Sequence, residues 1–170
     1  MCDRWRWVTE DSSLGREMPT EDVKKFFDDL NLLGVQNLLI TGGEPLLRRD
    51  LVEIMHHTRK LKLRTSIITA GLQLNENLIS ELISNNWSVT LSIDGYGDVH
   101  DKIRRRPGLF SQVDANMTEL IAQRQKLKSY SKIGINIVAM DQNLSSILPL
   151  ISHALKRGID SILISPVHQR

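Results

Sequence analysis

Two hydrophobic periods alternate along this chain, and that alternation constrains its fold more than any other feature. The first is helical. Val23, Phe26, Phe27, Leu30 and Leu33 fall at i, i+3, i+4, i+7 and i+10, which is one face of a helix. Thr20 is placed to cap its start, Glu21 and Asp22 suit the positive end of the helix dipole, and Gly34 suits the C-terminal cap. Leu51, Ile54, Met55, Thr58 and Leu61 repeat the pattern, with Asp50 and Glu53 spaced as a capping box. A shorter helix is expected after Asn75 (Leu78, Ile79, Leu82, Ile83), and a longer one carries Val113, Met117, Leu120, Ile121 and Leu127. The last, with Leu144, Ile147, Leu148, Ile151 and Leu155, closes at Gly158. Pro149 fits there only if the helix starts near Ser145 or Ser146, leaving proline in the first turn.

Between the helices lie the β-rich runs "VQNLLIT", "LRTSIIT", "SVTLSID", "IGINIVAM" and "DSILIS". Several are nearly continuous in apolar residues, which predicts strands covered on both faces. Five strands alternating with five helices predict a parallel α/β sheet with right-handed crossovers. At about 150 residues per domain, 170 residues read as one domain, 1–170. The charged opening "MCDRWRW" lacks a strand, and "ISPVHQR" follows a strand with no helix to cover it. The expectation is therefore of an α/β domain incomplete at both ends.

Composition excludes several classes. With 41% apolar and 25% charged residues the chain reads as an ordinary globular protein, and a net charge of +2 argues for neither nucleic acid nor a membrane surface. No apolar run approaches the roughly 20 residues needed to span a bilayer, and no signal peptide is visible. One cysteine, Cys2, rules out an internal disulfide framework, so a reducing cytoplasm is the expected compartment.

In parallel α/β folds the site lies at the carboxyl ends of the strands. Those ends read Thr41-Gly42-Gly43-Glu44, Thr69-Ala70-Gly71, Ser92-Ile93-Asp94-Gly95, Ala139-Met140-Asp141 and Ser165-Pro166-Val167-His168. Glycines let a ligand approach the backbone. Carbonyls leaving a strand, with the Glu44 carboxylate, offer only acceptors, which suits an ammonium group. Asp94 can accept from the two hydroxyls of a ribose, and Ser92 can donate or accept. Each motif alone has a plainer reading: "TGGEP" as a glycine turn with Pro45 opening a short helix, "SIDG" as a tight turn, Cys2 as an ordinary terminal cysteine. Their order at successive strand ends is what makes them specific.

Taken together, these residues resemble the radical S-adenosylmethionine (radical SAM) superfamily. Gly42, Gly43 and Glu44 match its Gly-Gly-Glu motif at the second strand, and "SIDG" matches the end of its fourth. "HDKIRRRPGLFSQV" is similar to the stretch leading into its fourth helix, and "MCDRW" to the tail of its C-x3-C-x2-C motif, with Cys2 as the third cysteine. The resemblance implies a parallel (β/α)6 partial TIM-like barrel, of which strands 2–6 are present. It implies a [4Fe–4S] cluster with Cys2 as a ligand, and S-adenosylmethionine bound by Gly42, Gly43, Glu44, Ser92 and Asp94. Asn136 is carried over as a residue near that cofactor. Arg104, Arg105 and Arg106 read as a solvated loop, with the alternative that Arg104 reaches the cofactor carboxylate. Reductive cleavage would give a 5′-deoxyadenosyl radical that abstracts hydrogen from a peptide or small-metabolite precursor. An electron donor such as flavodoxin or ferredoxin is the implied partner.

The chain departs from the family in lacking the first two cysteines and the first strand, and in reading Thr69-Ala70-Gly71 where relatives often carry Thr-Asn-Gly. No catalytic residue is assigned. His56 and His57 miss the spacing of a helical metal pair and read as surface or boundary residues. Trp5 and Trp7 are expected to pack the loop after the cysteine motif, and His168 stands at a strand end where it could face substrate. An aldolase-like barrel lacks a lysine at any strand end. A degenerate domain that binds an adenosyl ligand or a protein partner stays open beside the enzyme.

Overall fold

The computed structural model describes residues 17–166; Cys2, Trp5, Trp7 and His168, and the expectations attached to them, lie outside these. Five strands form one parallel sheet: β1 (Asn37–Ile40), β2 (Arg64–Thr69), β3 (Ser88–Ser92), β4 (Ile133–Ala139) and β5 (Ser161–Pro166). They pair in sequence order, β1-β2-β3-β4-β5. A doubly wound sheet reverses its strand order, whereas unidirectional order is that of a barrel wall. The strands accordingly form a curled half-barrel, the expected partial TIM-like fold.

The helices are α1 (Thr20–Leu32), α2 (Leu51–Lys60), α3 (Glu76–Ser84), α4 (Asp98–Arg104), α5 (Leu109–Leu127) and α6 (Leu144–Arg157), with a 3-10 turn at Pro45–Leu47. Among the described residues that is one α-helix more than the sequence predicts. The extra one, α4, places Arg104 at a helix end and not in a loop. Arg105 follows in the left-handed conformation, and Asp101 bridges the turn by accepting from the amides of Gly108 and Phe110 at 2.6 and 2.7 Å. Seven residues and a short apolar set (Val99, Ile103) gave α4 too little periodicity to be read.

The core lies between the sheet and its helices. Ile67, Val89, Leu91, Ile133, Ile135 and Ile137 are fully buried there, against Ile54, Met55, Leu82, Val113, Met117 and Leu120. The opposite face carries Ser66 and Ile68, Thr90 and Ser92, then Asn136 and Val138, all part-exposed. Among the described residues coverage on both faces is thus corrected to one. Exposure alternates along β2 and β3, because side chains alternate and only one face meets helices of the described residues. Gly134 on β4 permits the approach of β5: a Cβ there would come within 2.8 Å of the Ser161 carbonyl oxygen.

Four local expectations also change. Pro19 is the N-cap of α1, and the hydroxyl of Thr20, its first residue, donates to Asp50. Asp50 occupies the N-cap of α2 without capping it, because its carboxylate is held by Arg48 and Thr20. Of the apolar stripe of α1 only Phe27 is buried, since this helix packs beside α2 at the sheet's edge. Pro149 lies well inside α6, not in its first turn. Proline removes the bond to the carbonyl four residues back, which is Ser145, and both residues are exposed so that water can replace it. Gly34 and Gly158 adopt the left-handed conformation expected after a helix, and the Asn75 side chain caps α3 through the Leu78 amide at 3.0 Å. His56 and His57 sit on α2 as boundary residues, bonded to Glu81 and Asp28.

Candidate functional site

Because the strands are parallel, all five exits open on one end of the half-barrel. At the β1 exit, Gly42 has φ 151, a conformation reserved for glycine, and a Cβ on Gly43 would meet nothing within 4 Å. Glu44 then caps the 3-10 turn. Its Oε1 accepts from the Leu46 amide at 3.1 Å and the Thr69 hydroxyl at 2.6 Å, and its Oε2 from the Ala70 amide at 2.8 Å. The carboxylate therefore stitches the β1 exit to the β2 exit. Thr69 continues the chain of bonds by accepting from the Gly71 amide at 2.9 Å, and Asn116 of α5 donates to the Gly71 carbonyl at 2.9 Å.

The β3 exit is built around Asp94. The last ladder bond runs from the Ile93 amide to the Asn136 carbonyl at 3.0 Å, so the amide and carbonyl of Asp94 have no strand partner. Buried side chains supply both. His100 Nδ1 accepts from the Asp94 amide at 3.1 Å, and Asn143 Nδ2 donates to the Asp94 carbonyl at 2.6 Å. The carboxylate takes the Val138 amide at 3.0 Å on one oxygen and Arg104 Nη2 at 2.7 Å on the other. Asp94, His100 and Asn143 are 3%, 1% and 0% exposed. Thus Arg104 and Asp94, two separate candidates in the sequence, meet each other.

His100 is held neutral. Burial pushes its pKa down and the Arg104 guanidinium adds to this, outweighing the opposite pull of Asp94 and Asp101, so it falls to about 4. Since Nδ1 accepts, Nε2 carries the proton; that nitrogen is buried with no hydrogen-bond partner, beside the Phe110 ring.

Ser92 and Asn136 stand side by side in the β3–β4 register on the helix-free face. Asn136 Oδ1 is a buried acceptor with no partner, which costs roughly 1–3 kcal/mol unless something donates to it. Above Arg64 at the opposite rim, the face from Ser66 and Ile68 to Leu163 and Ser165 carries no charged side chain. The exits thus bring Gly42, Gly43 and Glu44 next to β2, and Ser92, Asn136, Asp94 and Arg104 together at β3 and β4. Thr69, His100 and Asn143 are the partners to which the sequence alone assigned no role. Thr69 stood in a quoted strand end and His100 opened "HDKIRRR", but Thr69 and Asn143 acquire their roles by contacts 25 and 49 residues away.

A cavity of about 590 Å³ opens at the other end, where the strands begin, lined by Arg59, Lys62, Arg64 and Lys132 among others. Arg59 and Lys62 stand at the C-terminus of α2, where cations balance the helix dipole, so the cavity gives no separate reason to expect a ligand. Among the described residues no group of three His, Cys, Asp or Glu side chains could hold a metal ion. No helix among them is long and apolar enough to cross a membrane.

A unidirectional parallel half-barrel with glycine-opened, acceptor-rich strand exits defines a class: barrel-type α/β proteins that bind ligands at the carboxyl ends of their strands. The chain belongs to the Radical SAM superfamily, which it matches over residues 1–161. Members of that family are enzymes that use a [4Fe–4S] cluster and S-adenosylmethionine. The chain is 28% identical to the AdoMet-dependent heme synthase of Methanosarcina barkeri over 159 residues, 92% of this chain and 44% of that protein. It is 27% identical to the PqqA peptide cyclase of Bradyrhizobium diazoefficiens over 154 residues, 90% of this chain and 39% of that protein. Among solved structures it resembles Streptococcus suis SuiB bound to S-adenosylmethionine, with TM-score 0.75 and 19% identity over 89% of this chain and 34% of that one. The chain spans less than half the length of these relatives.

Proposed function

We propose that this chain is the S-adenosylmethionine-binding half-barrel of a radical SAM enzyme that abstracts hydrogen from a peptide-like substrate. The observation that carries the reading is Asn136 Oδ1, a buried acceptor without a donor, beside Ser92 on an uncharged face at the strand exits. A ligand bearing hydroxyls and an ammonium group would satisfy it and could also donate to the carbonyls of Gly42 and Gly43. In this reading Ser92 and Asn136 take the ribose, the Gly42–Glu44 turn takes the amino group, and Asp94 with Arg104 shapes the wall between them. The cluster would draw one thiolate from Cys2, the chain's only cysteine. The chemistry the bound pair supplies is one-electron cleavage of the sulfonium and removal of a hydrogen atom from substrate. The protein's own part is to orient the cofactor and exclude water.

Relatives divide between tetrapyrrole and peptide chemistry by their names. A face of hydroxyls, one amide and aliphatic side chains, free of cations above Arg64, matches peptide amides better than propionate carboxylates. A second reading is a half-barrel that binds the adenosyl compound without cleaving it. Titration of S-adenosylmethionine into the anaerobically reconstituted protein tests the first. Micromolar binding is expected, with Asn136→Leu weakening it about tenfold, the worth of one net hydrogen bond of ~1.4 kcal/mol. No heat of binding would end the reading. Binding without 5′-deoxyadenosine release under dithionite would favour the second.

A further inference from the structure

His100 is buried, uncharged and assigned to no role, yet it holds the residue on which the β3 exit turns. Asp94 uses all four of its polar groups: amide to His100, carbonyl to Asn143, carboxylate to Val138 and Arg104. Three of these partners come from α4 and the turn before α6, so the ligand-facing end of β3 is fixed from behind. The His100 bond ties α4 to the backbone of the strand end, and Arg104, one helical turn further along α4, ties the same helix to the carboxylate.

We propose that His100 is a positioning residue of the cofactor site, whose Nδ1 acceptor sets Asp94 and Arg104 and, through the β3–β4 register, the Ser92–Asn136 pair. This rests on the S-adenosylmethionine reading given above. A group acting only by filling space behaves differently from one acting through an acceptor atom. The imidazole does both, and two substitutions separate them. His100→Leu keeps apolar volume and loses the acceptor. His100→Asn keeps an acceptor near the position of Nδ1 and loses volume.

The experiment titrates S-adenosylmethionine into the reconstituted wild-type protein and both variants, and measures the melting temperature of each. Affinity is expected to follow the acceptor: His100→Asn within about threefold of wild type, His100→Leu about tenfold weaker, one lost hydrogen bond. Equal affinity in the two variants, or wild-type affinity in His100→Leu, overturns the proposal. Wild type that fails to bind instead defeats the functional reading, which is a separate result. Nitrogen-15 imidazole spectra of wild type keep the inference testable if the leucine variant does not fold. An unprotonated Nδ1 is expected, and a proton on Nδ1 would overturn it.

Discussion

Glu44 shows how much a single residue's meaning depends on its neighbours. In the sequence it stands as a carboxylate at a strand end, free to take an ammonium group. In the fold it accepts from Leu46, Thr69 and Ala70, so its negative charge is spent on joining two exits. Glu44→Gln would turn an NH2 toward one of those donors. Leaving a buried donor unsatisfied costs about 1–3 kcal/mol, so the variant should melt at a lower temperature and bind S-adenosylmethionine roughly ten- to a hundredfold more weakly. Calorimetry and titration on the same sample check this. Unchanged values in both would remove Glu44 from the site and from the framework. Asp94 follows the same logic, being more deeply buried and more completely bonded than a surface turn residue would be.

At the scale of elements, the site depends on how closely β4 and β5 approach. Their six-residue register runs from Gly134–Ser161 to Ala139–Pro166, and Gly134 is where it would break. An added Cβ would meet the Ser161 hydroxyl and, at 2.8 Å, its carbonyl oxygen. The hydroxyl can rotate away but the backbone cannot. Gly134→Ala should therefore destabilise by about 1–3 kcal/mol, the usual cost of overpacking. The decisive measurement is urea denaturation, where an unchanged midpoint would show that β5 yields freely. Strands and long helices were readable because their periodicity is a local consequence of facing one core. Helix α4 was not, because it is short and owes its place to Asp101 and His100, bonded across a turn and to a strand end.

For the molecule as a whole, the buried histidine links stability to pH. His100 titrates near 6.5 when unfolded and near 4 when folded. As pH falls from 6.5 toward 4 the unfolded chain takes up a proton that the folded chain refuses, so stability drops over that window and is fully present above it. A shift of this size corresponds to roughly 3 kcal/mol at 1.36 kcal/mol per unit. Denaturation at pH 7.5, 5.5 and 4.5 should show the loss, and His100→Asn should remove most of the slope. A slope that survives in the variant would assign the effect to other groups.

The sequence by itself determined the parallel α/β class and set glycines and acceptors at the strand ends, because hydrophobic period and glycine position are written locally, while the half-barrel was implied by the family resemblance. Even the Gly42–Glu44 turn and the neighbourhood of Asp94 could be named from order alone. What only the tertiary structure decided is which groups pair with each other and which are left without a partner. Asp94 and Arg104 pair, Asn136 is left with an open acceptor, and one sheet face mixes polar with apolar residues where two apolar faces were expected. Those outcomes follow from hydrogen bonds between residues as much as 49 positions apart. Their partners are fixed by chain packing, and a buried polar group must find one wherever packing puts it.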